Sequence, residues 1–101
     1  MPNPHVKTAK AFNALAHPRR ITLFKLINEA KIIRCTFGRL QAQTKFTPAV
    51  LSHHLRVMEE GGLIKRRQAG SFTEFSTTTG KFNNAIAPMV RDLTPAFRLA
   101  A

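Results

Sequence analysis

Tryptophan and tyrosine are absent from this 101-residue chain, cysteine occurs once, and only five residues are acidic. Each shortage removes a class of function. The single thiol, Cys35, cannot close an internal disulfide. The five carboxylates never form a pair suited to general acid–base work, and there is neither a glycine-rich phosphate loop nor a cysteine cluster. No run approaches the roughly 18 consecutive apolar residues that a bilayer span needs, so no membrane segment is expected. Lys7 and Lys10 interrupt the apolar positions near the start, so no export signal is expected either, and reducing cytoplasm is the expected compartment. These absences weigh against an enzyme and towards a binding module, with no cofactor and no metal expected.

What is present is positive charge. Sixteen Lys and Arg stand against five Asp and Glu, a formal +11 with His neutral. That imbalance repels itself and suits a polyanionic partner. Apolar residues make up 44% of the chain, enough for one small core. A domain this short gains little stability alone, and homodimer formation is a common remedy.

The hydropathy pattern predicts a mainly α fold with a small β-hairpin. Asn3-Pro4 pairs a capping side chain with a proline suited to a first helical turn, and Val6, Ala9, Phe12 and Leu15 continue a helix over about 4–16. After His17, Pro18 opens a second helix to about Ala30, with Ile21, Leu23, Phe24, Leu26 and Ile27 at helical spacing. Lys31 to Cys35 reads as a connection or a brief extended piece, and Thr36 caps a short helix over about 37–44 that buries Phe37 and Leu40. Thr47-Pro48 repeats the start signal, and this helix runs to Glu60, where Gly61-Gly62 supplies a left-handed stop. Val50, Leu51, Leu55 and Met58 form its inward stripe, leaving Ala49, Ser52, His53 and Arg56 outside.

Two strand-like runs, Leu63 to Arg67 and Phe72 to Ser76, flank the turn residues Gln68 to Ser71. A last helix from Lys81 to about residue 98 carries Phe82, Ile86, Met89, Leu93 and Phe97 on one face, with Pro88 and Pro95 expected to bend or interrupt it. A short helix, a tight turn, an amphipathic helix and a hairpin in that order make a winged helix-turn-helix, whose second helix enters the DNA major groove.

The stretches Ala14-Leu15-Ala16-His17-Pro18-Arg19-Arg20-Ile21 and Val50 to Ile64, the latter containing Ser52-His53-His54-Leu55 and Glu60-Gly61-Gly62-Leu63, resemble the ArsR-type transcriptional repressors. So do Arg66-Arg67 and Gly70, and the resemblance covers about residues 11–77. It implies one domain over 1–101 with a DNA-binding core at about 18–77, and a homodimer paired through the first and last helices. Val6, Phe12, Phe82, Ile86, Met89, Leu93 and Phe97 are the residues expected at that seam. It also implies a repressor that leaves double-stranded DNA when an effector arrives.

The chemistry of the matched positions agrees. Thr47, Ala49, Ser52, His53 and Arg56 line the outer face of the recognition helix, and the hydroxyls, imidazole and guanidinium among them suit phosphates or base edges. Lys65, Arg66 and Arg67 lead to a tip where Gly70 and Ser71 allow close backbone approach to phosphate. Strand alternation points Arg66 away from Lys65 and Arg67, so only part of that run can touch DNA at once. His54, turned about 100° from His53, reads as a packing residue. Pro48 stands where the family often has a polar base reader, which shifts base reading to Ser52, His53 and their neighbours.

The effector is not legible. The family's thiolate metal site precedes Leu40, where this chain has Thr36 and Gly38, with Cys35 alone and one residue out of register. The last helix offers only Asp92 for a metal, and the adjacent His53 and His54 diverge. Cys35 itself, between Arg34 and a helix start, reads either as a redox switch acting through an intersubunit bond or capped thiol, or as an inert half-buried residue. Outside the resemblance, the same charge also fits a sequence-neutral nucleic-acid or RNA-binding protein, although the phenylalanines sit at core-facing spacing and so offer few stacking platforms.

Overall fold

Three of the helices begin on a side-chain cap that the sequence supplies. The computed structural model describes residues 3–30 and 34–100, apart from the side chains of residues 79 and 94–100. Its elements are α1 (Val6–Leu15), α2 (Pro18–Glu29), α3 (Phe37–Thr44), α4 (Pro48–Glu60), β1 (Ile64–Ala69), β2 (Phe72–Thr77) and α5 (Thr79–Ala100). His17 Nδ1 accepts from the amide of Arg19 at 3.1 Å, Thr36 Oγ1 from that of Arg39 at 3.2 Å, and Thr47 Oγ1 from that of Val50 at 3.3 Å. Each bond satisfies one of the amides that a first helical turn leaves open. Pro18 and Pro48 follow their caps at the start of α2 and α4, where a missing N–H costs nothing.

Two helix boundaries depart from the sequence reading. The first helix starts at Val6 with His5 as the preceding residue, not at Pro4. Asn3 Oδ1 accepts from the His5 amide at 2.9 Å, so the expected cap is used in a turn ahead of the helix. The last helix starts at Thr79 and is continuous to Ala100, neither proline ending it. Each proline removes a single amide from the i→i−4 ladder, and around Pro88 both that residue and Asn84 are exposed, so the carbonyl left over can be hydrated. The side chains of Pro95 and Phe97 lie outside the described ones.

α3, a three-residue turn and α4 form the helix-turn-helix, and β1 and β2 the wing. The strands pair antiparallel from Ile64↔Thr77 to Ala69↔Phe72, closing on Gly70-Ser71. Gly70 has φ +63° while Ser71 does not enter positive φ, the pattern of a type II′ hairpin turn. The chain before α3 adds a fragment of a third strand. Thr36 bridges Glu74, and the Phe75 amide donates to the Cys35 carbonyl at 2.8 Å. Of the expected connection over Lys31 to Cys35, residues 31–33 lie outside the described residues.

The core is built from Leu23 and Ile27 of α2, Leu40 of α3, Leu51, Leu55 and Met58 of α4, and Leu63, Ile64 and Phe75 at the wing base. α1 contributes Ala11 and Ala14 to the buried set, while Val6 and Phe12 remain exposed. These small residues allow α1 to approach the end of α4 closely. A Cβ on Gly61 would lie 2.5 Å from Ala14 Cβ and 2.8 Å from the Lys10 carbonyl oxygen. Gly61 itself has φ −77°, so the left-handed residue of the pair is Gly62, at φ +76°. The two glycines therefore answer different demands, one for space and one for backbone hand.

Candidate nucleic-acid interface

At 100° per residue, Ala49, Ser52, His53 and Arg56 fall within one sector of about 100° on α4. All four are exposed, as is Thr47 at the helix start, whereas Leu51, His54, Leu55 and Met58 are buried on the opposite side. Val50, expected inside, sits half-buried at the margin between the two faces. None of the described hydrogen bonds uses the side chains of Ser52, His53 or Arg56, which leaves their polar atoms available to a partner.

The wing divides the basic run as alternation requires. Arg66 turns towards α4, where its Nε donates to Glu59 Oε2 at 2.7 Å and its guanidinium lies 5.9 Å from the Phe75 ring centroid. Lys65 and Arg67 share the other face with Glu74. The Glu74 carboxylate accepts from Arg67 Nη2 at 3.2 Å and from Arg34 Nε, and these hydrogen bonds, Arg34 foremost, hold it below the usual carboxylate range. Gly70 and Ser71 stand exposed at the tip. Every residue of the expected contact set is thus at the surface, but Arg66 is tied to the body of the protein and Lys65 and Arg67 point elsewhere.

Other exposed polar residues accompany this face. Arg39 and Gln43, four residues apart, stand on the outer side of α3, and Lys45 follows it at φ 61°, in the left-handed region. The sequence reading passed over them, although their place on the polar side of a helix immediately before the recognition helix is the signal that finds them. Arg19, 5.5 Å from the Phe46 ring centroid, adds a cation near the same turn.

Behind α4 the His-Pro-Arg-Arg stretch has a structural task. Arg20 is buried at 7% exposure and His54 at 4%. Arg20 donates from Nη1 to His54 Nδ1 at 3.2 Å and from Nη2 to the Asn13 carbonyl at 3.0 Å, joining α2 to α4 and to the end of α1. Its Nε is buried without a hydrogen-bond partner. Since arginine stays charged, His54 must accept, which places its own proton on Nε2. Burial foremost, with the positive charges of Arg20 and Arg19 nearby, pushes His54 below the usual histidine pKa and keeps it neutral.

Cys35 is buried at 4% exposure, and burial raises its thiol pKa against an opposing pull from Arg39. Thiolate is the reactive form, so this placement works against the redox reading of the residue. Among the described residues no three His, Cys, Asp or Glu side chains gather as metal ligands. Nor is any described helix long and apolar enough to cross a membrane.

The residues expected at a dimer seam separate into two groups. Val6, Phe12, Met89 and Leu93 are large, apolar and exposed at 45–54%. Phe82 instead packs on this chain's own core, its ring 6.5 Å from that of Phe24. Its task is internal, because the first turn of α5 crosses the end of the core before the helix leaves it. Ile86 is half-buried between the two situations. α1 and α5 are held side by side, with Thr8 Oγ1 donating to the Ala85 carbonyl at 2.6 Å.

Comparison with models of known protein families finds no match. An uncharacterized helix-turn-helix-type transcriptional regulator of Methanocaldococcus jannaschii is 30% identical over 66 residues, 65% of this chain and 72% of that protein. Among solved structures, an ArsR-like transcriptional regulator from Rhodococcus sp. RHA1 superposes with a TM-score of 0.78 at 16% identity, covering 95% of this chain and 85% of the other. A homodimeric winged helix-turn-helix DNA-binding domain from Mycobacterium bovis, described as a possible ArsR-family regulator, gives a TM-score of 0.67 at 20% identity over 87% and 81%. At these identities the structural likeness is one of fold: the winged helix-turn-helix of ArsR-type regulators.

Proposed function

This chain belongs to the helix-turn-helix-type transcriptional regulators, and from that premise we propose that it is a homodimeric, sequence-specific double-stranded DNA-binding repressor released by an effector. The observation that carries the proposal is the α4 face of Ala49, Ser52, His53 and Arg56, exposed together and unused by the protein's own hydrogen bonds. Ser52 and His53 reach base edges in this reading, and Arg56 a base or a phosphate. Thr47, Lys45, Arg39, Gly70 and Ser71 approach the flanking backbone. Lys65 and Arg67 supply long-range attraction, and Arg66 holds the wing at its angle to α4.

A second copy pairs through the Val6, Phe12, Met89 and Leu93 surface of α1 and α5. The shape of the isolated chain supports this. Its radius of gyration is 15.3 Å, against about 13 Å for a compact domain of 100 residues. An open monomer with exposed apolar side chains on two adjacent helices gains core by pairing. Residues 18–77 then form the DNA-binding core, flanked by the two pairing helices. No membrane has a part in this function, and the action belongs where the DNA is.

Selection from a random duplex pool, followed by affinity of the winners against salt, tests the reading. An enriched inverted repeat with halves about one helical turn apart supports it. Salt-steep binding to every duplex without enrichment replaces it with sequence-neutral nucleic-acid binding.

A further inference from the structure

A groove of about 530 Å³ opens on the face of the wing that carries Lys65 and Arg67, between the hairpin, the end of α2 and the chain entering α3. Its volume lies within the range of roughly 300–1,000 Å³ of small-molecule sites. Its wall is of two kinds. Ala30, half-buried, and the edge of the core at Ile27 and Cys35 make its apolar side, and Arg34, Lys65 and Arg67 line it with positive charge. The one carboxylate present, Glu74, accepts from both guanidiniums, and none of the described ion pairs involves Lys65. The three cations and one anion leave the lining two charges positive.

We propose that this groove binds a small organic monocarboxylate with a short apolar body, its carboxylate held by Lys65 and the two arginines and its body against Ala30 and the edge of Ile27. The two wall types select for both parts of such a molecule. Inorganic phosphate has nothing to place on the apolar side, and a neutral hydrocarbon leaves the cations unmet. Glu74 already demonstrates that Arg34 and Arg67 converge on a carboxylate, and a ligand carboxylate competes with it or adds Lys65 to the set. Because Lys65 and Arg67 belong to the wing, a bound monocarboxylate offsets one positive charge of the protein's attraction to DNA. This last step rests on the DNA-binding reading above; the binding site does not.

The test uses the full chain without DNA first. Benzoate and hexanoate are titrated while the backbone amides of Cys35, Ser76 and Thr77 are followed by NMR, with phosphate and benzyl alcohol as the one-sided probes. Saturable shifts with the carboxylates, weaker by about tenfold in Arg67→Gln or Arg34→Gln and unchanged in Lys25→Gln, are expected. Equal affinity for phosphate or benzyl alcohol overturns the proposal, as does absence of saturation or indifference to both arginine variants. Operator affinity is then measured with and without benzoate in the parent and in Arg34→Gln. Release in the parent alone supports the regulatory step, and carboxylate binding without release removes that step while the site stands. Failure to select any operator strikes the repressor reading and leaves the first titration intact.

Discussion

Arg20 of α2 places Nη1 3.2 Å from Nδ1 of His54 on the hidden side of α4, with both residues buried. The bond needs a neutral imidazole. An unfolded chain protonates His54 near its usual pKa of 6.5, whereas the folded protein resists that proton. The unfolded state therefore binds more protons on acidification, and stability falls as pH drops below about 6.5, levelling off below the folded pKa. Chemical denaturation between pH 5 and pH 8 is expected to show this slope, at most about 1.4 kcal/mol per pH unit. His54→Gln, which keeps an acceptor for Arg20 but carries no proton to gain, is expected to flatten it.

Arg56 and Arg66 are both exposed arginines beside the same helix, and they are expected to behave differently. Arg56→Ala removes a side chain free to meet DNA and is expected to weaken operator binding by about 1–3 kcal/mol. Arg66→Ala loses a group already held by Glu59, so its effect on affinity is smaller and Lys65→Ala mainly lowers the salt slope. Fluorescence anisotropy with labelled duplex at several salt concentrations separates the three.

Lys45 holds a left-handed backbone conformation that glycine adopts more readily. Lys45→Gly is expected to raise stability by about 0.5–1 kcal/mol. The same change removes a charge next to the start of α4, so affinity for DNA falls while the melting temperature rises. Opposite signs from one substitution distinguish a contact residue from a purely structural one.

Gly61 has no room for a methyl group against Ala14 and the Lys10 carbonyl. Gly61→Ala is expected to destabilise by about 1–3 kcal/mol, the usual penalty of overpacking, whereas Gly38→Ala, with open space around its Cβ position, is not. Urea denaturation of the two variants makes the comparison.

Leu93→Glu puts a charge into the apolar surface assigned to a second copy. Sedimentation velocity is expected to find the variant monomeric at concentrations where the parent is dimeric. A dimer unaffected by Leu93→Glu and Phe12→Glu together places the pairing surface elsewhere.

What could be read from the chain follows from how local each signal is. α4 was legible at both ends because Thr47-Pro48 and Gly61-Gly62 act on their own neighbours, and its outer face followed from the apolar stripe opposite. The hairpin was legible for the same reason, from Gly70 and alternation. Asn3 misled because an asparagine can close a turn as readily as cap a helix, and Pro88 because a helix tolerates one lost amide when water takes the carbonyl. Three features depended on distant parts of the chain meeting. The bond between Arg20 and His54, the strand fragment at Thr36 beside Glu74, and the groove between α2 and the wing have no local pattern to announce them. The division of labour within Arg66-Arg67 was half legible, since alternation gives the opposition of the two side chains but not which carboxylate each finds.

The absent side chain at position 61 also acts as a length standard. It lets the tail of α4 rest on the backbone of α1, so the helix assigned to reading DNA is fixed at one distance from the helix assigned to pairing. In a two-fold assembly any change in that distance appears twice, once in each copy. In the proposed dimer the gap between the two reading helices is thus gauged by a single missing methyl group, and a variant that survives filling it would hold them at a changed separation.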